Sequence, residues 1–542
     1  MSHAMRRTTG KKINPVAAAL STSVRKVFAL AVHCHRAGRL GDAELHYRTV
    51  LAAHPRHADS LSQYGTIALQ TNRPELAADL IGQALAIDPQ TGPNHANLGI
   101  ALRRLGRLDE AATCYRRAIQ LSPNHVEAHN NLGNLLMRLG QMDEAVACYR
   151  QAIALRPDYA DAHNGLGGLL VVMARPDEAV ECLRRCLELR PAYTEAHDSL
   201  GMALQQQGRL DDAIECYRMA LRHGPGYAGA HSNLAMALLA KGEMAEGWKE
   251  YEWRWRTPQL MPAQRTFARP QWRGQAAEGK NLLIHSEQGF GDTIHFCRYA
   301  PLAAERGFRV VLEVPKRLAR LLGSLPGVAQ IVSSGETLPP FDLHCPMMSL
   351  PLAFRTTVET IPNAIPYLNP DAFQVESWRI RLAETAPAGL RVGLVWAGNP
   401  RQGQAIATAT DHRRSMPTER LAPLLDIAGA CFFSLQKDRT VLPVGWPLCD
   451  FMDEMDDFAD TAALIANLDL VISVDTAVAH LASAIGKPVW LLDRFDPDWR
   501  WTIGGRDNLW YPTIRVYRQP AAGNWDAVVA RAAKDLMVKA GQ

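Results

Sequence analysis

An α-solenoid followed by two α/β lobes is the fold this sequence predicts. Three observations carry it. A 34-residue period runs through the first 258 positions. The period stops after Pro258. From about residue 279 the pattern changes to short apolar runs separated by helical stretches.

The period is kept in three registers at once. Prolines stand at 55, 89, 123, 157, 191 and 225, glycines at 65, 99, 133, 167 and 201, and alanines at 43, 77, 111, 145, 179 and 213. Proline ends the second helix of a pair and starts the turn into the next. The glycine and alanine positions are where two helices approach closely, and Tyr47, Tyr115, Tyr149 and Tyr217 are expected to fill the core between them. A helix pair of 34 residues resembles the tetratricopeptide repeat. Six repeats are expected over about 24–225 and a less regular seventh to about 258, with the aromatic run Gly247–Trp255 capping the solenoid against the next domain.

Three more columns share the period. His95, His129, His163, His197 and His231 are expected to fill the position that starts the first helix, because neighbouring repeats are too far apart to share a metal ion. Cys114, Cys148, Cys182 and Cys216 lie in apolar helical stripes, where a free thiol acts as a small hydrophobe. Asn97, Asn131 and Asn233 share a register on the first helices, completed by Gln63, Gly165 and Ser199. An amide both donates and accepts, so such a column is suited to clamp a peptide backbone, with plain polar surface as the alternative. It resembles the asparagine ladder of the eukaryotic-type O-linked N-acetylglucosamine transferases.

Composition sets bounds. Of the 542 residues, 47% are hydrophobic and 21% charged, ordinary values for a folding chain of several domains. A net charge of +4 gives no reason to expect a nucleic-acid partner. Residues 1–41 carry eight basic side chains and no acidic one, so a basic, partly disordered tail is expected over 1–23. No secretory signal and no apolar run long enough to span a membrane is evident. Ten cysteines without a CxxC pair fit free thiols in a cytoplasmic protein.

The second half of the chain is expected to begin after a linker at 259–278. Strands are expected at Leu282–His285, Arg309–Val314, Gln330–Ser333 and Phe341–His344 in a first lobe (279–385). A second lobe (386–542) is expected to hold strands at Arg391–Ala397, Cys431–Leu435, Leu468–Val474, Pro488–Leu492 and Ile514–Arg518. Helical stretches between strands imply parallel sheets and two Rossmann-like lobes facing a cleft. Ligands of such sheets bind at the carboxyl ends of strands.

Four strand ends stand out. After the first strand, Gly289 and Gly291 free the backbone to approach a ligand, and Asp292 is either a helix N-cap or a base for an acceptor hydroxyl. After the first strand of lobe two comes Trp396-Ala-Gly-Asn399, then His412-Arg-Arg414, where Arg413 and Arg414 are phosphate partners or plain loop charges. Lys437 ends the next strand and is a point charge suited to a diphosphate. Asp475 and Thr476 open a helix whose N-terminus attracts a diphosphate, and His480 lies one turn deeper on the same face. Capping, and a satisfied core histidine, are the alternatives. The acidic run Asp453–Asp457 reads as a solvated loop and helix cap rather than metal ligands.

GFGDTIHF, VGLVWAGNP, HRRSMP, FFSLQK and SVDTAVAHLASAIGKPVWLL together resemble the heptosyltransferase family (family 9 glycosyltransferases), in the bacterial branch with N-terminal tetratricopeptide repeats. The likeness covers about 280–518. It implies a two-lobed GT-B fold, no metal, no cofactor beyond a nucleotide-sugar co-substrate, and inversion of the anomeric centre in one displacement. It implies Asp292 as general base, Asp475, Thr476 and His480 on the nucleotide-sugar, and Lys437 and Arg414 on its phosphates, with Gly289, Gly291 and Asn399 lining the same site. Hexosyl and heptosyl donors stay open, as do protein, peptide and saccharide acceptors held by the repeats. The competing reading is a non-catalytic repeat scaffold with a degenerate transferase domain.

Overall fold

The computed structural model describes residues 22–258, 260–261, 264–276, 278–386, 388–399, 411–437, 446–503 and 506–541. The basic tail expected at 1–23 lies outside them but for its last two residues. The chain divides into two compact units, one reaching to Gly165 and the other running from Leu166 on.

Helices pair along the repeats as Thr22–Arg36 with Leu40–Ala53, Ala58–Gln70 with Pro74–Ile87, and so on to Ala228–Lys241 with Met244–Tyr251. The glycine column is a packing device. A Cβ on Gly99 would lie 2.6 Å from the Tyr115 ring and one on Gly133 2.9 Å from that of Tyr149. In the second unit, Gly201 meets Tyr217 at 2.5 Å and Gly167 meets Leu183 at 2.5 Å. The four column tyrosines are fully buried.

The histidine and proline columns are two halves of one bond. His129 Nε2 lies 2.9 Å from the carbonyl of Pro123, six residues back, and His95, His163, His197 and His231 repeat this at 2.9–3.0 Å. A proline carbonyl that no helix can use is thereby satisfied by the helix that follows it. None of the ten cysteines is in a disulfide, and burial pushes the Cys148 and Cys216 thiols up to about 11.

A seventh column turns the chain within each pair. Gly38, Asn72, Gly106, Gly140, Ala174, Gly208 and Gly242 all have positive φ. Ala174, at φ +55°, is the one whose Cβ is strained there without a polar side chain to compensate. Ala174→Gly is expected to stabilise the second unit by about 0.5–1 kcal/mol, the relief of strain exceeding the added chain entropy. A lower urea midpoint than wild type would contradict this.

In the second unit, strands β1 (Asn281–His285), β2 (Arg309–Val314), β3 (Val328–Ser333) and β4 (Leu343–Pro346) form a parallel sheet ordered β3-β2-β1-β4. A second parallel sheet, ordered β12-β9-β8-β5-β6-β7, contains β5 (Leu390–Val395), β6 (Ala430–Ser434), β7 (Leu448–Asp450), β8 (Leu470–Val474), β9 (Val489–Asp493) and β12 (Ile514–Arg518). Between β9 and β12, β10 (Thr502–Ile503) and β11 (Arg506–Asp507) make a short antiparallel pair.

Most strand boundaries differ from expectation by one or two residues, and two of the differences have a visible cause. The strand expected at Phe341–His344 starts at Leu343, because Asp342 instead takes the Asn281 N–H on its carboxylate. The strand expected to reach Ala397 ends at Val395, since the Trp396 and Ala397 amides donate to the Gln436 side chain. Strands β7, β10 and β11 were not foreseen. Helices of seven residues, Phe290–Phe296 and Lys316–Leu322, follow β1 and β2. Part of the stretch read as a linker is packed structure. Trp272 is fully buried and its amide donates to the His344 carbonyl at 2.7 Å, beside an isolated parallel bridge from Gln271.

The aromatic run of the last repeat joins the α/β core. Trp248 is 2% exposed and meets Trp499 edge-on at 5.3 Å. Arg254, also 2% exposed, donates to both Glu287 oxygens at 2.9 and 2.8 Å and to Ser349 Oγ at 2.8 Å. No helix among the described residues is long and apolar enough to cross a membrane.

Candidate active site

Each sheet reverses its strand order once. In the first the reversal lies between β1 and β4, in the second between β5 and β8. A crevice opens at the carboxyl ends of strands at such a point, because successive connections leave in opposite directions. The loops that follow β1, β5, β6 and β8 converge there on one cleft of about 560 Å³. Its walls include Gly289, Gly291, Asp292, Asn399, Arg414, Lys437, Asp475, Thr476 and His480. All nine residues expected at the nucleotide-sugar site line the same space, whereas Arg413, also weighed as a phosphate partner, does not. The last repeat contributes Met236 and Tyr251.

Asp292 is the third residue of helix Phe290–Phe296, not its N-cap as the simpler expectation had it. One carboxylate oxygen accepts from the Gly289 amide at 3.2 Å. The other accepts from Arg500 Nη2 at 2.7 Å. Each oxygen has two lone pairs, so both retain room for a further donor. Gly291 is needed for contact: a Cβ there would lie 3.0 Å from the His480 ring and 3.5 Å from Ala477 Cα. That contact seats the helix after β1 on the helix after β8.

Thr476 is the N-cap of helix Ala477–Ala484, yet its hydroxyl makes no capping bond and lies 3.1 Å from Ser473 Oγ. Among the described residues no side chain caps the first amides of this helix, and its positive end faces the cleft. Asp475 stands beside it. Burial, and the neighbouring Asp498 carboxylate, push its acidity range upward. Asp498 is held low instead: burial opposes its charge, but Arg500 donates to both its oxygens at 2.9 and 3.1 Å.

His480 is buried. Its Nδ1 lies 3.0 Å from Tyr511 Oη, and its ring stacks on Trp501 at 4.8 Å. Burial, with Arg500 and Arg298 nearby, drives it down to about 3, so at neutral pH it is an uncharged hydrogen-bonding group.

Lys437 Nζ donates to the Met452 and Met455 carbonyls at 3.1 and 2.7 Å, which leaves its third proton for the cleft. Arg414 is held by Asp411 at 2.8 Å and reaches the Asp475 carbonyl at 3.4 Å. Arg413 turns away to Asp496 at 3.0 Å, so of the two arginines Arg414 is the one at the cleft. In the acidic run, Asp457 caps helix Phe458–Ala466 and pairs with Arg320. Among the described residues no group of three or more His, Cys, Asp or Glu side chains is arranged to hold a metal ion.

The asparagine column divides between the units. Asn97 gives its amide to Thr66 Oγ1 at 3.3 Å, and Asn233 gives its own to Asp198 at 2.9 Å. Asn131 is half-buried. Two of the three thus pair with the preceding helix pair.

Sequence reasoning missed Arg500 and Asp498. They lie in Asp493-Arg-Phe-Asp-Pro-Asp-Trp-Arg-Trp501, the loop directly after β9. The strand-end rule that found the other residues would have found these had it been applied to that strand.

Comparison with known proteins agrees with this organisation. Tetratricopeptide-repeat profiles match residues 29–91, 97–160, 131–194, 169–228 and 199–252. The profile of Glycosyltransferase family 9 (heptosyltransferase) matches residues 455–492, the segment that carries β8, Asp475, Thr476 and His480. Protein FlbA of Caulobacter vibrioides (strain ATCC 19089 / CIP 103742 / CB 15) is 30% identical over 326 residues, covering 54% of this chain and 52% of its own. The chain therefore spans about half the length of the curated relative it matches. Among solved structures, YrrB is 18% identical over 34% of this chain and 95% of its own, with a TM-score of 0.30. PilF of Pseudomonas aeruginosa is 21% identical over 38% and 93%, with a TM-score of 0.33. Tetratricopeptide repeats thus occupy the N-terminal region, and the C-terminal part carries a family 9 segment.

Proposed function

We propose that this chain is an inverting, metal-independent glycosyltransferase of the two-lobed GT-B kind, moving a hexosyl or heptosyl group from a nucleotide-sugar to an acceptor held by the repeats. The observation that carries the reading is the convergence of Asp292 from one sheet with Arg414, Lys437, Asp475 and Thr476 from the other on a single cleft. The donor diphosphate would lie against the helix that starts after Thr476, its charge met by amides, Arg414 and Lys437, and its sugar hydroxyls by Asp475 and His480. The acceptor oxygen attacks the anomeric carbon, and its proton passes to Asp292. The bond from that carbon to the diphosphate breaks, and the electron pair leaves with the diphosphate. Such cations and amides are fixed before the reaction and stabilise the departing charge without reorganising. The acceptor is a protein, peptide or saccharide, and the compartment is the cytoplasm, which cysteines outside disulfides suit.

The test is a thermal-shift panel of uridine-, guanosine-, adenosine- and cytidine-type nucleotide-sugars on wild type and Asp475→Ala. A ligand at about 100 times its dissociation constant adds about 2.7 kcal/mol to the folded state. One donor type is expected to raise the melting temperature of wild type and not of Asp475→Ala. No shift from any of them would favour the scaffold reading.

A further inference from the structure

Arg500 connects the two sides of the cleft. It lies in the loop after β9, and its side chain is 10% exposed. Nη2 donates to Asp292 on the first sheet's helix at 2.7 Å. Nη1 is taken by both oxygens of Asp498. The guanidinium lies 4.6 Å from the Trp499 ring centre, and Trp499 in turn rests on Trp248 of the last repeat. Burial opposes the charge on Arg500, but Asp498 and Asp292 hold its basicity above the ordinary arginine range. Every bond in this chain fixes an orientation: Asp498 fixes the fork, and the fork fixes one oxygen of Asp292 while the Gly289 amide fixes the other.

We infer that Arg500 is a positioning residue for the transfer step, holding the Asp292 carboxylate aimed into the cleft. The inference rests on the reading of Asp292 as the general base. Removal of the acceptor proton needs a carboxylate with a free lone pair at a set place. Without Arg500 the side chain could rotate about its remaining bond to Gly289, and the proton transfer would lose its geometry. A lysine would keep the charge but could not span two carboxylates, since a fork differs from a point.

The experiment needs no acceptor, because water serves as one. Release of nucleoside diphosphate is followed for wild type, Arg500→Ala, Arg500→Lys and Asp292→Asn. The probes are UDP-N-acetylglucosamine, UDP-glucose, GDP-mannose and ADP-heptose. Arg500→Ala is expected to lower kcat about 100-fold, with KM for the donor changed less than about threefold. Millimolar guanidinium should restore part of the rate in Arg500→Ala and none in Asp292→Asn. Arg500→Lys should fall between Arg500→Ala and wild type. Should Arg500→Ala not fold, Asp498→Asn takes its place, with the same kcat-against-KM split expected at smaller size. An unchanged kcat in Arg500→Ala, or a raised KM at constant kcat, would overturn the inference and leave Asp292 in place. Full activity in Asp292→Asn, or turnover of no donor by wild type, would overturn the base assignment itself and this inference with it.

Discussion

Asp292→Asn is expected to slow nucleoside diphosphate release by roughly 10²- to 10⁴-fold, the range that a positioned general base contributes. Donor binding should be unchanged. Asparagine preserves shape and still accepts on its oxygen, so the bond from the Gly289 amide can persist. What is lost is the capacity to take a proton at neutral pH. The prediction separates two roles that share one side chain. If Asp292 served only the helix start, the cost would be about 0.5–2 kcal/mol of stability and no loss of rate in the folded chain. If it is the base, the rate falls while the donor-induced rise in melting temperature survives. His480 cannot substitute: it is far too weak a base to carry the proton, and its Nδ1 is committed to Tyr511.

How far the sequence revealed this site depended on the kind of signal. The repeat columns were legible because one contact recurs at fixed spacing, and repetition averages away local variation. Even so, the partnership of His129 with the Pro123 carbonyl was hidden, since columns show which positions matter and not what each one touches. The positive-φ column was harder still: glycine, asparagine and alanine share it, and only the backbone unites them.

In the α/β half, apolar runs located the strands, and the strand-end rule located Asp292, Lys437 and Asp475. Boundaries failed where side chains replaced ladder bonds, as Gln436 does for Trp396 and Ala397. Trp272 looked like a linker residue because the partner that buries it, around His344, lies 72 residues away in sequence. The strand-end rule reaches the loop that holds Arg500 and Asp498, but not what the two side chains do there. Their roles are set by Asp292, 208 residues back, and a loop rich in charge gives no local sign of whom it faces.

Arg254 gives the largest effect expected on stability. Arg254→Met should cost about 3–5 kcal/mol, because it strands a buried carboxylate rather than merely removing a bond. Glu287 is 2% exposed at its side chain, and burial already pushes its acidity range upward against the pull of Arg254. Among the described residues its one remaining donor would be the Met348 amide at 2.9 Å. The double variant Arg254→Met with Glu287→Leu should recover most of the loss, since exchanging a buried pair for apolar groups is often neutral and the arginine's other carboxylate, Glu252, is 27% exposed and keeps its access to water. Urea unfolding of the four chains gives the coupling directly. A loss below about 1 kcal/mol in Arg254→Met would mean that water reaches the pair and screens it. The double variant also isolates a consequence for the cleft. Glu287 lies between β1 and Gly289, so the pair joins the last repeat to the loop that presents Asp292. A stable double variant that turns over donor more slowly would place that junction, and not only the fold's stability, among the determinants of the Asp292 geometry.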